Sequence, residues 1–186
     1  MKEFYMKGMV FTELLTMAES VMGEEAVDQI LDDLDLDSGA AYNAVGNYPC
    51  SELFTLVGAF GAYLDMPLDQ LQRKFGIWMF DYFAKNYPVF FDGKADALAM
   101  LDAIENEVHV EVRKLYPNVE LPSFETTRLG ENGLRMTYHS ERPLIDFCHG
   151  LIEACVEHFG EPADIDRQDR SEQGRYVAEF CVRKVA

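Results

Sequence analysis

The 186-residue chain carries 33 acidic residues against 16 lysines and arginines, a formal net charge of −17 at pH 7. Such a surface repels phosphate backbones and anionic lipid, which argues against nucleic acid and membranes as partners. A hydrophobic fraction of 48%, with 13 Phe and 9 Tyr, excludes a disordered chain and supports one globular domain, residues 1–186, with a substantial core.

From the N-terminus, MKEFYMKGMVFTELL shows neither the uninterrupted apolar run nor the small-residue cleavage site of a signal peptide. No stretch reaches the roughly 18 apolar residues of a membrane span. Residues 9–32 predict two helices, carried by Val10, Leu14 and Met17 and then by Ala26, Ile30 and Leu31, and parted around Gly23. Asp33, Asp35 and Asp37 imitate the start of an EF-hand loop. Ser38 stands where that loop needs glycine and Ala44 where it needs glutamate, so the carboxylates read as a solvated face. Residues 38–48 have loop chemistry. Ser51–Leu64 and a segment from Pro67 to about Phe83 predict further helices, with Pro67 suited to a first turn. Trp78, Phe80, Tyr82, Phe83, Phe90 and Phe91 crowd together, as a large aromatic core or the lining for a flat apolar ligand would require.

Ala97–Tyr116 predicts a central helix, with Leu98, Leu101, Ile104, Val108, Val112 and Leu115 forming one apolar stripe and His109 at its edge. An inward imidazole there needs a hydrogen-bond partner or a metal; the helix pattern alone is compatible with either. Beyond Pro117 and Pro122, Ser123–Leu129 and Gly133–Ser140 flank Gly130-Glu131-Asn132 as a β-hairpin. Pro143 opens a helix with Leu144, Phe147, Cys148, Leu151, Ile152, Cys155 and Phe159 inward and His149 and His158 placed at the surface. Ala163–Arg167 and Tyr176–Val182 complete a small antiparallel sheet. The fold class expected is α+β: an N-terminal helical lobe (about 1–66), then the central helix with a small sheet and its packed helix (about 67–186).

The chain offers little for an enzyme. It holds no GxGxxG, P-loop, GxSxG or HExxH, and its four histidines have no partner at zinc spacing. Cys50, Cys148, Cys155 and Cys181 form no CxxC pair and read as reduced core thiols of a cytoplasmic protein. One row stands out. Tyr138, Ser140 and Arg142 alternate, so an extended strand puts a phenol, a hydroxyl and a guanidinium on one face, spanning about 13 Å. Leu134 and Met136 continue that face as an apolar surface, and Arg142 precedes a helix start that itself favours anions. A ligand with an apolar body and two carboxylates at one edge would suit it; incidental polar residues at a strand end would look the same.

Tyr138-x-Ser140-x-Arg142 resembles the YxSxR haem-propionate motif of the H-NOX (haem nitric oxide/oxygen binding) family, related to the haem domain of soluble guanylate cyclase. The resemblance extends over nearly the whole chain, through Met6-Lys7-Gly8, Ser51-Glu52-Leu53-Phe54, Met66-Pro67, Phe75-Gly76 and Leu121-Pro122. Val108-His109-Val110-Glu111-Val112 is similar to the segment that carries the family's proximal ligand. Met1–Tyr5 would then be an extension or the product of an upstream start codon. The resemblance implies haem b (iron protoporphyrin IX) between the lobes, His109 as the iron's axial ligand, and Tyr138, Ser140 and Arg142 on the propionates. It also implies that Pro122 presses on the macrocycle.

Family members that hold O₂ carry a distal tyrosine nine residues after the motif tyrosine, and here that position is Phe147. Val10, Leu14 and Met79 align with the rest of the distal pocket and are likewise apolar. The resemblance therefore implies a nitric oxide sensor that also binds CO and forms no stable O₂ complex. An oxygen-binding haem protein and a haem-free acidic interaction module are the competing readings. Asp164–Gly174 lacks the Cys/His zinc cluster of some relatives, so no structural zinc is expected. In the family, domains without an effector of their own act on a separate histidine kinase or cyclic-di-GMP enzyme, and output in trans is expected here too.

Overall fold

The computed structural model describes residues 3–185. Met1 and Lys2, part of the expected extension, lie outside them. The rest of that segment belongs to the fold: β1 (Tyr5–Lys7) pairs antiparallel with β2 (Asn47–Pro49), and the Phe4 carbonyl accepts the Cys50 N–H at 2.7 Å. Residues 47–49 lie in what the sequence presents as loop and its continuation, because a three-residue strand shows no periodicity of its own.

Helices α1 (Gly8–Met22) and α2 (Glu24–Asp32) part at Gly23, whose φ of +86° suits a residue without a side chain. Helix α3 (Cys50–Tyr63) follows β2, and α4 (Leu68–Asn86) begins one residue after Pro67. The first core gathers Phe11, Leu14, Val27, Leu53, Leu56, Phe60, Leu71, Phe75 and Met79. Helix α4 serves two masters: Phe80 on its other side enters the second core.

That second core packs α5 (Ala97–Ala103) and α7 (Ile145–His158) on a four-stranded antiparallel sheet of β3 (Ser123–Arg128), β4 (Gly133–Ser140), β5 (Ala163–Asp169) and β6 (Tyr176–Lys184). The strand order is β3-β4-β6-β5. In β4 the alternation is complete: Leu134, Met136 and Tyr138 are buried and register with Val182, Phe180 and Ala178. His149, expected at the surface, is instead buried, its ring edge-on to Phe180 at 5.5 Å. The apolar body of an imidazole lets it continue the stripe. His158 is exposed as expected.

The central helix is continuous in path but irregular in pitch. Between α5 and α6 (His109–Leu115), residues Ile104–Val108 form a π-turn, and the His109 N–H donates to the Ile104 carbonyl five residues back. One residue is thereby absorbed immediately before the histidine.

Helices α4 and α7 cross with their backbones nearly touching. A Cβ on Gly76 would lie 2.1 Å from the Phe147 carbonyl oxygen, and one on Gly150 would lie 2.0 Å from that of Arg73. Gly76→Ala therefore forces the helices apart and lowers stability by about 2–3 kcal/mol in urea unfolding. A variant as stable as the parent would contradict the crossing.

A buried carboxylate fixes the turn before β2. Glu52 in α3 accepts from the Ser38 N–H (3.0 Å), the Ser38 hydroxyl (2.6 Å) and the Tyr42 hydroxyl (2.6 Å). Burial opposes its ionisation, but these donors outweigh it and hold the carboxyl below its usual range. Its contribution to stability is thus complete above the unfolded value of about 4.3 and is lost as pH falls through the lower folded value. Glu52→Gln should cost about 2 kcal/mol at pH 7. In urea titrations the gap to the parent should narrow below about pH 4.

Candidate functional site

A cavity of about 310 Å³ opens between the helical lobe and the sheet lobe. Its volume is within the range of ligand sites. The lining is overwhelmingly apolar. Ile104, Val108, Val112 and Leu115, the second half of the central stripe, form one wall, while Leu98, from the first half, is packed in the second core. Met9, Val10, Phe83, Phe90 and Phe91 contribute from the helical side.

His109 lines this cavity and is buried. Its Nδ1 lies 3.0 Å from Oε2 of Glu105, one residue into the π-turn. The same oxygen accepts the Phe124 N–H at 3.1 Å, and Oε1 accepts from Arg113 at 2.9 Å. Burial lowers the pKa of the imidazole, with Glu105 opposing and Arg113 assisting, so the ring is neutral at pH 7. Glu105 is penalised by burial, yet Arg113, His109 and the Phe124 N–H hold its carboxyl below the usual range. A neutral ring that gives its Nδ1 proton to a carboxylate presents Nε2 as a lone-pair donor.

The Tyr138–Ser140–Arg142 row lies at the end of β4. Tyr138 and Arg142 are buried and line the cavity, while Ser140 lines an adjoining, more polar cleft that Arg142 also reaches. Burial pushes the Tyr138 phenol well above its usual pKa, with the Ser140 hydroxyl and Arg142 opposing, so it stays a neutral donor. The Ser140 hydroxyl accepts the Arg142 N–H at 3.0 Å, and the Arg142 guanidinium donates to the Glu120 carbonyl. That last bond ties the strand end to the segment carrying Leu121 and Pro122, both of which line the cavity. Phe124 stands between the two groups, 5.6 Å from the His109 ring and 5.7 Å from that of Tyr138.

Of the four apolar residues expected at the distal side, Val10 and Phe147 line the cavity. Leu14 and Met79 do not; they are fully buried in the helical core against which Val10 and Phe147 pack. Trp78 is engaged elsewhere, donating from Nε1 to Glu13 at 2.9 Å. At the far end of α6, the Lys7 ammonium sits 4.6 Å over the Tyr116 ring, joining β1 to the end of the central helix.

Sequence reading missed Glu105 and Arg113. Their spacing from His109, four residues before and four after, was the available signal, since such pairs share a helix face.

These parts suit a flat, apolar, carboxylate-bearing metal macrocycle. Among the described residues no cluster of three or more His, Cys, Asp or Glu could hold a bare metal ion. A lone imidazole in an apolar cavity matches a metal that brings its other ligands with it, and the buried guanidinium beside a phenol matches an anionic edge.

Comparison with known proteins agrees. Residues 7–167 match the Haem-NO-binding family. The chain is similar to the Fe(II) unliganded H-NOX protein from K. algicida, with 36% identity, 97% of each chain covered and a TM-score of 0.89. It is also similar to an H-NOX protein from S. oneidensis in the Fe(II)NO ligation state, with 25% identity, 97% of this chain and 100% of that one covered, and a TM-score of 0.88. An oxygen-binding H-NOX domain related to soluble guanylate cyclases shares the fold, at 18% identity, 97% and 96% coverage and a TM-score of 0.82. No match is found among curated proteins. The chain belongs to the Haem-NO-binding, or H-NOX, family of haem-binding gas-sensor domains.

Proposed function

We propose that this domain is a haem-based nitric oxide sensor of the cytoplasm that signals to a partner enzyme, a histidine kinase or a cyclic-di-GMP enzyme. The observation that carries the reading is the placement of His109: a buried, neutral imidazole in the wall of an apolar cavity, with only Nε2 left to bind a metal. Nε2 would be the axial ligand, Tyr138, Ser140 and Arg142 would hold the propionates, and Pro122 would bear on the ring. When bound, haem b would supply a ferrous iron able to take NO or CO, and His109 would be the residue whose hold on that iron weakens with NO.

Selectivity rests on hydrogen bonding. Bound O₂ needs a donor aimed at it, whereas NO does not. Val10 and Phe147, the lining residues assigned to the gas side, carry no donor, and Leu14 and Met79 support them from the core.

Signalling follows from what His109 is attached to. It is the first residue of α6, and α6 reaches β3 through Glu105 and β1 through the Lys7–Tyr116 contact. Freeing the His109 imidazole would remove the restraint at one end of this helix and leave those contacts to readjust. A partner that binds the two arrangements unequally reads the difference, and couplings of this kind are worth about 1–3 kcal/mol.

Absorption spectra of the ferrous protein test the reading directly. Addition of NO should change the spectrum and exposure to air should not produce a long-lived oxygenated species. Phe147→Tyr places a donor in the cavity and should create one, slowing O₂ loss by about tenfold or more, as one added hydrogen bond of about 1.5 kcal/mol would. His109→Gly should lose its haem unless free imidazole is supplied, which should restore uptake and the five-coordinate ferrous spectrum. Parent-like haem retention by that variant without imidazole would remove His109 from its role.

A further inference from the structure

The Glu105 carboxylate contacts His109, and it is held from three directions. Its oxygens take the His109 ring at 3.0 Å, the β3 backbone at Phe124 N at 3.1 Å and the Arg113 guanidinium at 2.9 Å. A surface glutamate paired with a histidine swings freely and contributes little. This one has its orientation fixed by a strand amide on one side and a fork-shaped cation on the other, and its side chain is only 22% exposed. It stands on the π-turn four residues before the histidine, and the following α-helical turn brings Arg113 to its other oxygen.

We infer that Glu105 is the positioning residue for His109, fixing its Nδ1–H tautomer, turning Nε2 to the cavity and setting how strongly the imidazole binds iron. A carboxylate accepting the Nδ1 proton makes the imidazole more basic, so its Nε2 becomes a better donor to the metal. Arg113 works against this by drawing carboxylate charge toward itself. The pair is therefore an adjustable setting: Glu105 strengthens the bond to iron, Arg113 moderates it, and their balance decides how readily NO frees the helix. The inference rests on the haem reading above.

The experiment uses the ferrous holoprotein, with the iron–imidazole stretching frequency measured by resonance Raman and the rate of imidazole release followed on mixing with NO. Glu105→Gln should lower the frequency and speed release by about tenfold, the lower end of what loss of an outer-shell partner causes. Arg113→Ala should move both readouts the opposite way, and because Arg113 is half exposed at the surface its truncation leaves the core intact. If Glu105 merely anchors the helix to β3, stability falls but the frequency stays at the parental value in both variants. That result would overturn the inference and leave haem binding untouched. A parent protein that takes up no haem would overturn the underlying reading, and the inference with it.

Discussion

Everything in this molecule is hung on the crossing of α4 and α7. Two glycines, Gly76 and Gly150, bring the backbones closer than any Cβ would allow. Because the helices meet there, Phe75 and Met79 can complete one core while Phe80 and Ile152 complete the other. The cavity lies beside the crossing, lined by Phe80, Phe147, Leu151 and Cys155 from these same two helices. A packed interior would normally fill such a space with side chains. Here it is left open next to the close backbone contact, with Phe147 and Leu151 belonging to both.

Polar chemistry is confined to the rim of that space, and each polar group has a mechanical as well as an electrostatic task. Arg142 faces the cavity but also grips the Glu120 carbonyl, so the group suited to an anionic ligand is bonded to the segment bearing Pro122. Glu105 touches His109 but also the β3 backbone. In a chain of net charge −17, the buried Arg142 puts positive charge at a rim where the overall field is unfavourable to anions. An anionic group reaching this rim is held by local donors, against the long-range potential.

Much of this was legible in the residues. Gly23, Pro67 and the Gly130-Glu131-Asn132 turn mark element ends by local chemistry, and the stripes of α1, α3 and α7 show which faces are buried. The alternation of Leu134, Met136 and Tyr138 gave the buried face of β4, and the Tyr138-x-Ser140-x-Arg142 spacing picked out the polar row at its end. What escaped had no local mark. The pairing of β1 with β2 depends on tertiary contact between segments some forty residues apart, each only three residues long. His149 looked like a surface residue because imidazole is polar, yet it fits against Phe180. Leu14 and Met79 are apolar as read, but apolarity cannot distinguish a cavity wall from the core behind it. The π-turn left only a faint trace, two successive four-residue steps at Ile104, Val108 and Val112 where a regular helix averages 3.6.

That π-turn has a consequence for the shape of any motion in the central helix. One residue of slack sits between Glu105 and His109, stored as a wider coil. Passing it along the helix would advance the segment beyond it like a bolt through a nut, by about 1.5 Å of travel and about 100° of rotation per residue. Such a displacement carries its own detent, because every backbone donor finds a partner before and after but not between. A regular helix holds no such spare residue to pass along.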